Sequence, residues 1–323
     1  MTIPEVQGYR FTPEALAIDA RTPGISAFMR IRNGADFLEA TIRSHIDHFD
    51  EIVAVYNQCS DATPAILARL AGEFGPRLRV FHYLDAVHAP GTPGHAATPG
   101  DAPTSLVTYS NFALAATRHR IVTKLDDDHL AIAAEVARVV ADLRAGRADL
   151  GMMHCFSGPN LIRNGAGALA LPEADLLSGS GDIGFFALRP DTVFTHDRRF
   201  ERFARGGLKR RFAGFLYWHL KYLKRGGGFA NSLSDENPNG RFARKQQRLA
   251  AMPLLSLAEA RARLRPGAGD RLAALLREKA RLRLARNGAF APAFPQADLE
   301  AALDATVPGW RDLIGARIAG GRE

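Results

Sequence analysis

The chain has 323 residues, 46% of them hydrophobic and 24% charged, with a net charge of +8. That is long enough to bury one large core, or a core with an appendage, and ordinary in composition. It excludes a wholly disordered chain, a collagen and a disulfide-stapled miniature.

In chain order, residues up to Gly24 are expected to form a strap leading into the domain. Ile25 to Ile31 is an apolar run bounded by Pro23-Gly24 and Asn33-Gly34, which predicts a buried strand. Phe37, Leu38, Ile42, Ile46 and Phe49 then recur at helical spacing. Asp50 to Tyr56 predicts a second strand. Thr63 to Phe74 predicts a second helix with Pro64 in its first turn, and Leu78 to Leu84 a third strand. Strand and helix alternating in this way opens an α/β fold on a parallel sheet. His88 to Ser105, rich in Pro and Gly, predicts a long loop with His88 and His95 exposed to solvent.

Ser110 to Arg118 predicts a helix, and His119 to Leu125 a strand that runs straight into Asp126-Asp127-Asp128-His129. Ile132 to Arg144 predicts a helix; Gly151 to Phe156 and Asp182 to Leu188 predict strands. Leu208 to Lys224 reads as a basic, aromatic helix stopped by Gly226-Gly227-Gly228. From Ser256 the pattern is helical and rich in Arg, Leu and Ala, punctuated by Pro266-Gly267. No internal repeat is visible.

Two cysteines, Cys59 and Cys155, in no CxxC pattern, exclude a zinc ribbon and point to a reducing compartment. The first ten residues carry Glu5 and Arg10 with no apolar run behind them, and no stretch nears the roughly 18–20 apolar residues of a spanning helix. A cytoplasmic place is therefore expected, with peripheral contact at the inner face of the cell membrane open. From His196 to Phe290 there are 23 Lys and Arg against 7 Asp and Glu, so the rest of the chain is net negative. Such a block either faces an anionic partner or is a solvated helix face.

The acid triplet carries the sharpest chemistry. Three adjacent carboxylates are costly to bury without a cation. At a strand end Asp126 and Asp128 point the same way, a spacing that can hold one divalent cation. In an open α/β sheet ligands bind beyond the carboxyl ends of the strands, where this triplet falls. The alternative is a solvated loop before a helix with an acidic N-terminus.

Glu51 to Thr63, E-I-V-A-V-Y-N-Q-C-S-D-A-T, resembles the second-strand segment E-I-I-V-V-D-D-G-S-T-D-G-T of family 2 glycosyltransferases, without a gap. The preceding I-S-A-F-M-R-I-R-N-G-A-D-F-L-E-A-T-I-R-S is similar to the opening strand and helix of that family. The triplet resembles its DxD signature, and Asn111 and Ala115 fall where it has a helical run. The resemblance covers Ile25 to Leu130 and weakens beyond. It implies a GT-A fold, a Rossmann-like mixed sheet flanked by helices. The expected division is a strap (1–24), a GT-A domain (25–252) and a basic helical C-terminal extension (253–323).

The same resemblance implies roles. Arg30 and Asn33 should touch the nucleotide base and ribose. Asn57 takes the place of the uracil-reading carboxylate, and Asp61 is the loop acid, or a cap for the next helix. Asp126 should face the ribose or a metal-bound water, Asp128 should ligate Mg²⁺ or Mn²⁺, and Asp127 should point outward or bond to backbone. His129, His154, His196 or His219 could supply a further ligand. Inversion needs one base. Asp182, after a small flexible turn, is the first candidate; Glu201 is the second, although Arg198 and Arg205 at helical spacing offer it an ion pair.

The expected activity is metal-dependent, inverting transfer of a sugar from a UDP- or GDP-sugar to a hydroxyl of a glycan or lipid-linked acceptor. The "D-D" pair is replaced by Tyr56-Asn57 and the family's "E-D" base motif is missing, so a non-catalytic GT-A domain remains an alternative, as does a basic nucleic-acid or membrane-surface binder. Against nucleic acid, the basic residues come late, and the triplet has no use there. A nucleotidyltransferase would want a Gly-rich, lysine-bearing loop after the first strand, which Met29 to Gly34 lacks. Tyr217, Trp218 and Tyr222, among Lys and Arg, could stack a sugar, lie on an anionic membrane or form a core stripe.

Overall fold

The computed structural model describes residues 2–179, 181, 183–197, 200–229 and 241–315. In chain order the elements begin β1 (Glu5–Val6), β2 (Thr22–Ile31), α1 (Leu38–His45), β3 (Glu51–Tyr56), α2 (Thr63–Phe74) and β4 (Leu78–Tyr83). Then come α3 (Pro93–Ala97), α4 (Leu106–Ala115), β5 (His119–Lys124), β6 (His129–Ala131), α5 (Ala133–Arg144) and β7 (Met152–Pro159). Shorter strands follow: β8 (Ile162–Arg163), β9 (Leu169–Pro172), β10 (Leu177–Ser178), β11 (Gly184–Ala187), β12 (Phe194–Thr195) and β13 (Arg202–Phe203). The chain continues through β14 (Lys209–Phe215), β15 (Tyr217–His219), α6 (Arg241–Ala251) and β16 (Leu254–Leu255). It closes on α7 (Leu257–Leu264), α8 (Ala268–Leu276), α9 (Glu278–Ala293) and α10 (Leu299–Thr306).

Two compact units share these elements. The first holds residues 1–128, 185–208 and 229–247; the second holds 129–184, 209–228 and 248–323.

The first unit is a twisted sheet in the order β1-β4-β3-β2-β5-β11, parallel except for β11, which runs antiparallel to β5. The predicted strands and helices from Ile25 to Lys124 are present with small shifts at their ends. Every residue of β3 is buried, as the middle of a parallel sheet requires. Pro64 sits in the first turn of α2, and the Ser105 side chain caps α4 by accepting from Val107 N. The expected strap contributes β1, which pairs with β4 in parallel.

The loop from His88 to Ser105 departs from expectation. It contains α3, and His95 is 2% exposed. Its Nε2 donates to the carbonyl of Asp197 at 3.1 Å, a partner 102 residues away that the local composition cannot show. His88 is exposed, as expected.

In the second unit β7 pairs with β10 antiparallel and with β14 in parallel. β6 pairs with β15, and β9 lies between β8 and β16. Leu208 to Lys224 is therefore two strands, with only a short 3-10 turn at Lys221–Leu223, and not one helix. Lys209 to Phe215 lies against Met152 to Ser157, with a register shift at Gly214, where φ is 148°. Aromatic and alternating side chains fit a pleated surface, and the ladder offered by β7 outweighs the local helical spacing. Trp218 and Tyr217 are at most 1% exposed, so they belong to the core and do not lie on a membrane. The C-terminal helices enter the same core: Trp218 packs on Phe294 at 4.9 Å and donates from Nε1 to Thr306 Oγ1 at 2.9 Å. Both cysteines are free thiols, and no helix among the described residues is long and apolar enough to cross a membrane.

Candidate active site

Parallel pairing sets the site of the first unit. In the ladder Arg30 pairs with Val55 and Phe28 with Lys124, so the carboxyl ends of β2, β3 and β5 finish along one edge. Arg30, Asn33, Asn57, Asp61 and the triplet all fall at that edge or in the turns just beyond it. This is where an α/β sheet binds its ligands.

The turn after β2 is tightly built. Asn33 takes a left-handed conformation, φ 51°, and its Oδ1 accepts from Ser60 N at 2.8 Å. Gly34 N donates to Thr63 Oγ1 at 2.8 Å. A Cβ on Gly34 would lie 2.4 Å from Asp127 Oδ2, so Asp127 packs onto this turn. Asp61 accepts from Ala35 N and from Thr63 N, each at 3.0 Å, joining the turn to the start of α2. Burial alone would raise its pKa, but these hydrogen bonds outweigh it and hold the carboxyl below its usual range.

Asn57 is 2% exposed. Its Nδ2 donates to the carbonyls of Tyr83 and Asp85, each at 2.7 Å, and its Oδ1 accepts from Val87 N at 3.3 Å. The amide is thus spent on clamping the chain after β4.

Four charges meet beside this edge. Arg30 pairs with Glu201 at 2.7 Å, donates to Ser110 Oγ and lies over the Phe194 ring at 5.2 Å. Lys124 Nζ pairs with Asp126 Oδ1 at 2.7 Å. Glu201 precedes β13 and is not on a helix. Burial pushes its pKa up, but the Arg30 charge and hydrogen bond, with Lys124, pull it below the usual carboxylate range. A carboxylate held this way is a poor proton acceptor. Asp182 lies outside the described residues.

The second unit builds a histidine pair. β6 and β15 place His129 opposite His219. The His129 ring stacks on Tyr217, 3.6 Å between centroids, and both rings contact His219 edge-on. His219 Nδ1 donates to Asn160 Oδ1, which leaves the lone pair on Nε2. Asn160 is itself fixed, since its Nδ2 donates to the Asp175 carbonyl at 2.6 Å, and Tyr222 donates to the Asp175 carboxylate. Such a backing chain is what orients a metal-bound imidazole. One nitrogen of each imidazole lies within 4.8 Å of the other. Asp128, buried at 4% exposure, is the residue before His129 in the chain. Two imidazoles are donors that suit Mn²⁺ better than Mg²⁺, which prefers oxygen.

The other two histidines are placed elsewhere. His154 Nε2 donates to the Asp149 carbonyl at 2.8 Å, and His196 is exposed beside His95. Residues that sequence reasoning missed include Lys124, Ser110, Asn160 and Asp175. Lys124 stands two residues before Asp126, and that spacing was its available signal.

No family model and no curated protein matches the chain. Among solved structures it is similar to glucosyl-3-phosphoglycerate synthase from Mycobacterium tuberculosis in complex with Mn²⁺, UDP and phosphoglyceric acid. Identity there is 21% over 51% of this chain and 54% of that chain, with a TM-score of 0.28. The same enzyme with Mn²⁺ and UDP-glucose gives 21% identity over 52% of this chain and 54% of that chain, TM-score 0.27. S. aureus TarS 1–349 gives 14% identity over 70% of this chain and 69% of that chain, TM-score 0.35. The chain thus spans about half the length of the synthase structures it matches.

Proposed function

We propose that the chain is a GT-A-type glycosyltransferase that moves a sugar from a nucleoside diphosphate sugar to an acceptor hydroxyl. The observation that carries the reading is the gathering of Arg30, Asn33, Asp61 and the acid triplet at the carboxyl ends of three parallel strands. The motif resemblance of Ile25 to Leu130 supports it.

In this reading the turn from Asn33 to Ala35 and the Asp61 loop receive the nucleoside, and Asp126, held by Lys124, faces the ribose. Asp128, His129 and His219 are the residues that would hold Mn²⁺. A bound divalent cation neutralises the charge that develops on the departing diphosphate. The acceptor oxygen forms its bond to the anomeric carbon as the bond to the diphosphate breaks, and one carboxylate takes the hydroxyl proton. We assign that base to Asp182, because Glu201 is committed to Arg30. A single base gives inversion. The acceptor class, a glycan or a lipid-linked sugar, and peripheral contact with an anionic membrane belong to the same reading.

The amide of Asn57, consumed by backbone, favours a second reading in which the domain keeps the fold without reading uracil or turning over. One experiment separates the two. UDP and GDP binding is measured by calorimetry with and without Mn²⁺, on the wild type and on Asp128→Ala. Mn²⁺-dependent binding that the substitution abolishes supports the donor site. Absence of binding to both nucleotides with Mn²⁺ present overturns it.

A further inference from the structure

Helix α8, in the second unit, is turned inside out. Ala274 is buried at 4% exposure, while Leu272, Leu275 and Leu276 are 65%, 75% and 80% exposed. The three leucines occupy positions i, i+3 and i+4, so they form one continuous face. A soluble helix turns such a face to the core. Here the small residues go in and the large ones go out.

Cations flank that face in the chain. Residues 265–286 contain seven Arg and Lys and two acids. Both acids are taken: Asp270 pairs with Arg283 at 3.0 Å and Glu278 with Arg210 at 2.8 Å. Among the described residues no acid pairs with Arg271, Arg277, Lys279 or Arg281. A cleft of about 220 Å³ opens at the elbow between α8 and α9, lined by apolar Cys155, Phe212 and Leu282 and by Arg277, Lys279 and Arg283.

We infer that the α8–α9 elbow docks onto an anionic lipid surface. Leu272, Leu275 and Leu276 enter the acyl boundary, the cations meet the headgroups, and the cleft takes one lipid phosphate. Nine residues make a helix about 13 Å long, which lies in the interface and cannot cross it. Charge complementarity selects the occupant. A second copy on a two-fold axis would set the same cations against themselves. Nucleic acid would leave the leucines in water. The inference rests on the membrane-contact part of the reading above and not on the donor site.

The test is sedimentation of the full chain with vesicles of phosphatidylcholine alone, and of phosphatidylcholine with phosphatidylglycerol, without nucleotide. Binding to the anionic vesicles only is expected. Leu275→Asp with Leu276→Asp should weaken it at least about tenfold. Arg277→Glu with Lys279→Glu should weaken it about tenfold or more. All four side chains are exposed, so the thermal midpoint should hold, and a melting curve checks folding. Equal binding by wild type and leucine variant overturns the inference, as does no binding to anionic vesicles. So does a dimer that the leucine variant splits without any vesicle binding. Nucleotide calorimetry on the same samples reports the donor site separately.

Discussion

Tyr217 lies against both Gly158 and the His129 ring. The His129 ring lies 14° from parallel to it, and a Cβ on Gly158 would fall 2.4 Å from the Tyr217 carbonyl and 2.5 Å from its ring. A backbone carbonyl and a ring already stacked on His129 leave an added Cβ no cheap escape. Gly158→Ala should cost about 2 kcal/mol or more by overpacking. Chemical denaturation measures the cost. The displaced Tyr217 should also weaken Mn²⁺ binding, read by calorimetry on the folded variant.

Asn160 sets which nitrogen of His219 carries the proton. Asn160→Ala removes the acceptor for Nδ1 and the link to Asp175. Mn²⁺ affinity should fall about 10- to 100-fold, with nucleotide binding in the absence of metal unchanged. An unaltered affinity would separate the histidine pair from metal binding.

Glu201→Gln leaves the half-buried Arg30 guanidinium beside a neutral amide. Removing one partner of such a charge-assisted, half-buried pair costs about 2 kcal/mol. Arg30→Met with Glu201→Leu should recover most of the loss, because it removes both charges. If Glu201 were instead the base, its single substitution would abolish turnover with stability intact. Urea unfolding and an activity assay together decide.

His45 should make the protein acid-sensitive. Its ring is buried in α1, stacked on Phe49, and its Nδ1 donates to the Thr41 carbonyl at 2.8 Å. Burial pushes its pKa from 6.5 to about 4, against the pull of that hydrogen bond. The folded state therefore binds fewer protons than the unfolded one between those values. Stability is full above pH 6.5 and is lost as the pH falls toward 4. The integrated loss is about 3 kcal/mol. His45→Gln should flatten that part of the stability profile, measured by urea unfolding across the window.

The parallel half of the fold was legible because its signals are local. Apolar runs such as Ile25 to Ile31 are bounded by Gly or Asn, and Phe37, Leu38 and Ile42 recur at helical spacing. The stretch from Leu208 to Lys224 was not, because its conformation is decided by β7 and β6, more than fifty residues earlier. The aromatic spacing there fits either a helix or a core strand, and only the partner chooses. At the site, the acid triplet announced itself by adjacency. The commitments of Arg30, Asn57 and His219 did not, since each partner lies 26 or more residues away. Sequence shows which groups are present at an edge; it does not show which are already spent.

Arg30 and Glu201 are 171 residues apart in the chain. On the ribosome the strand that carries Arg30 is made long before the carboxylate that neutralises it. The N-terminal sheet cannot close over Arg30 at low cost until residue 201 has emerged. A fragment ending before Glu201 therefore carries the Arg30 cation without this counter-ion. Synthesis order thus leaves Arg30 without Glu201 until more than half of the chain has been made.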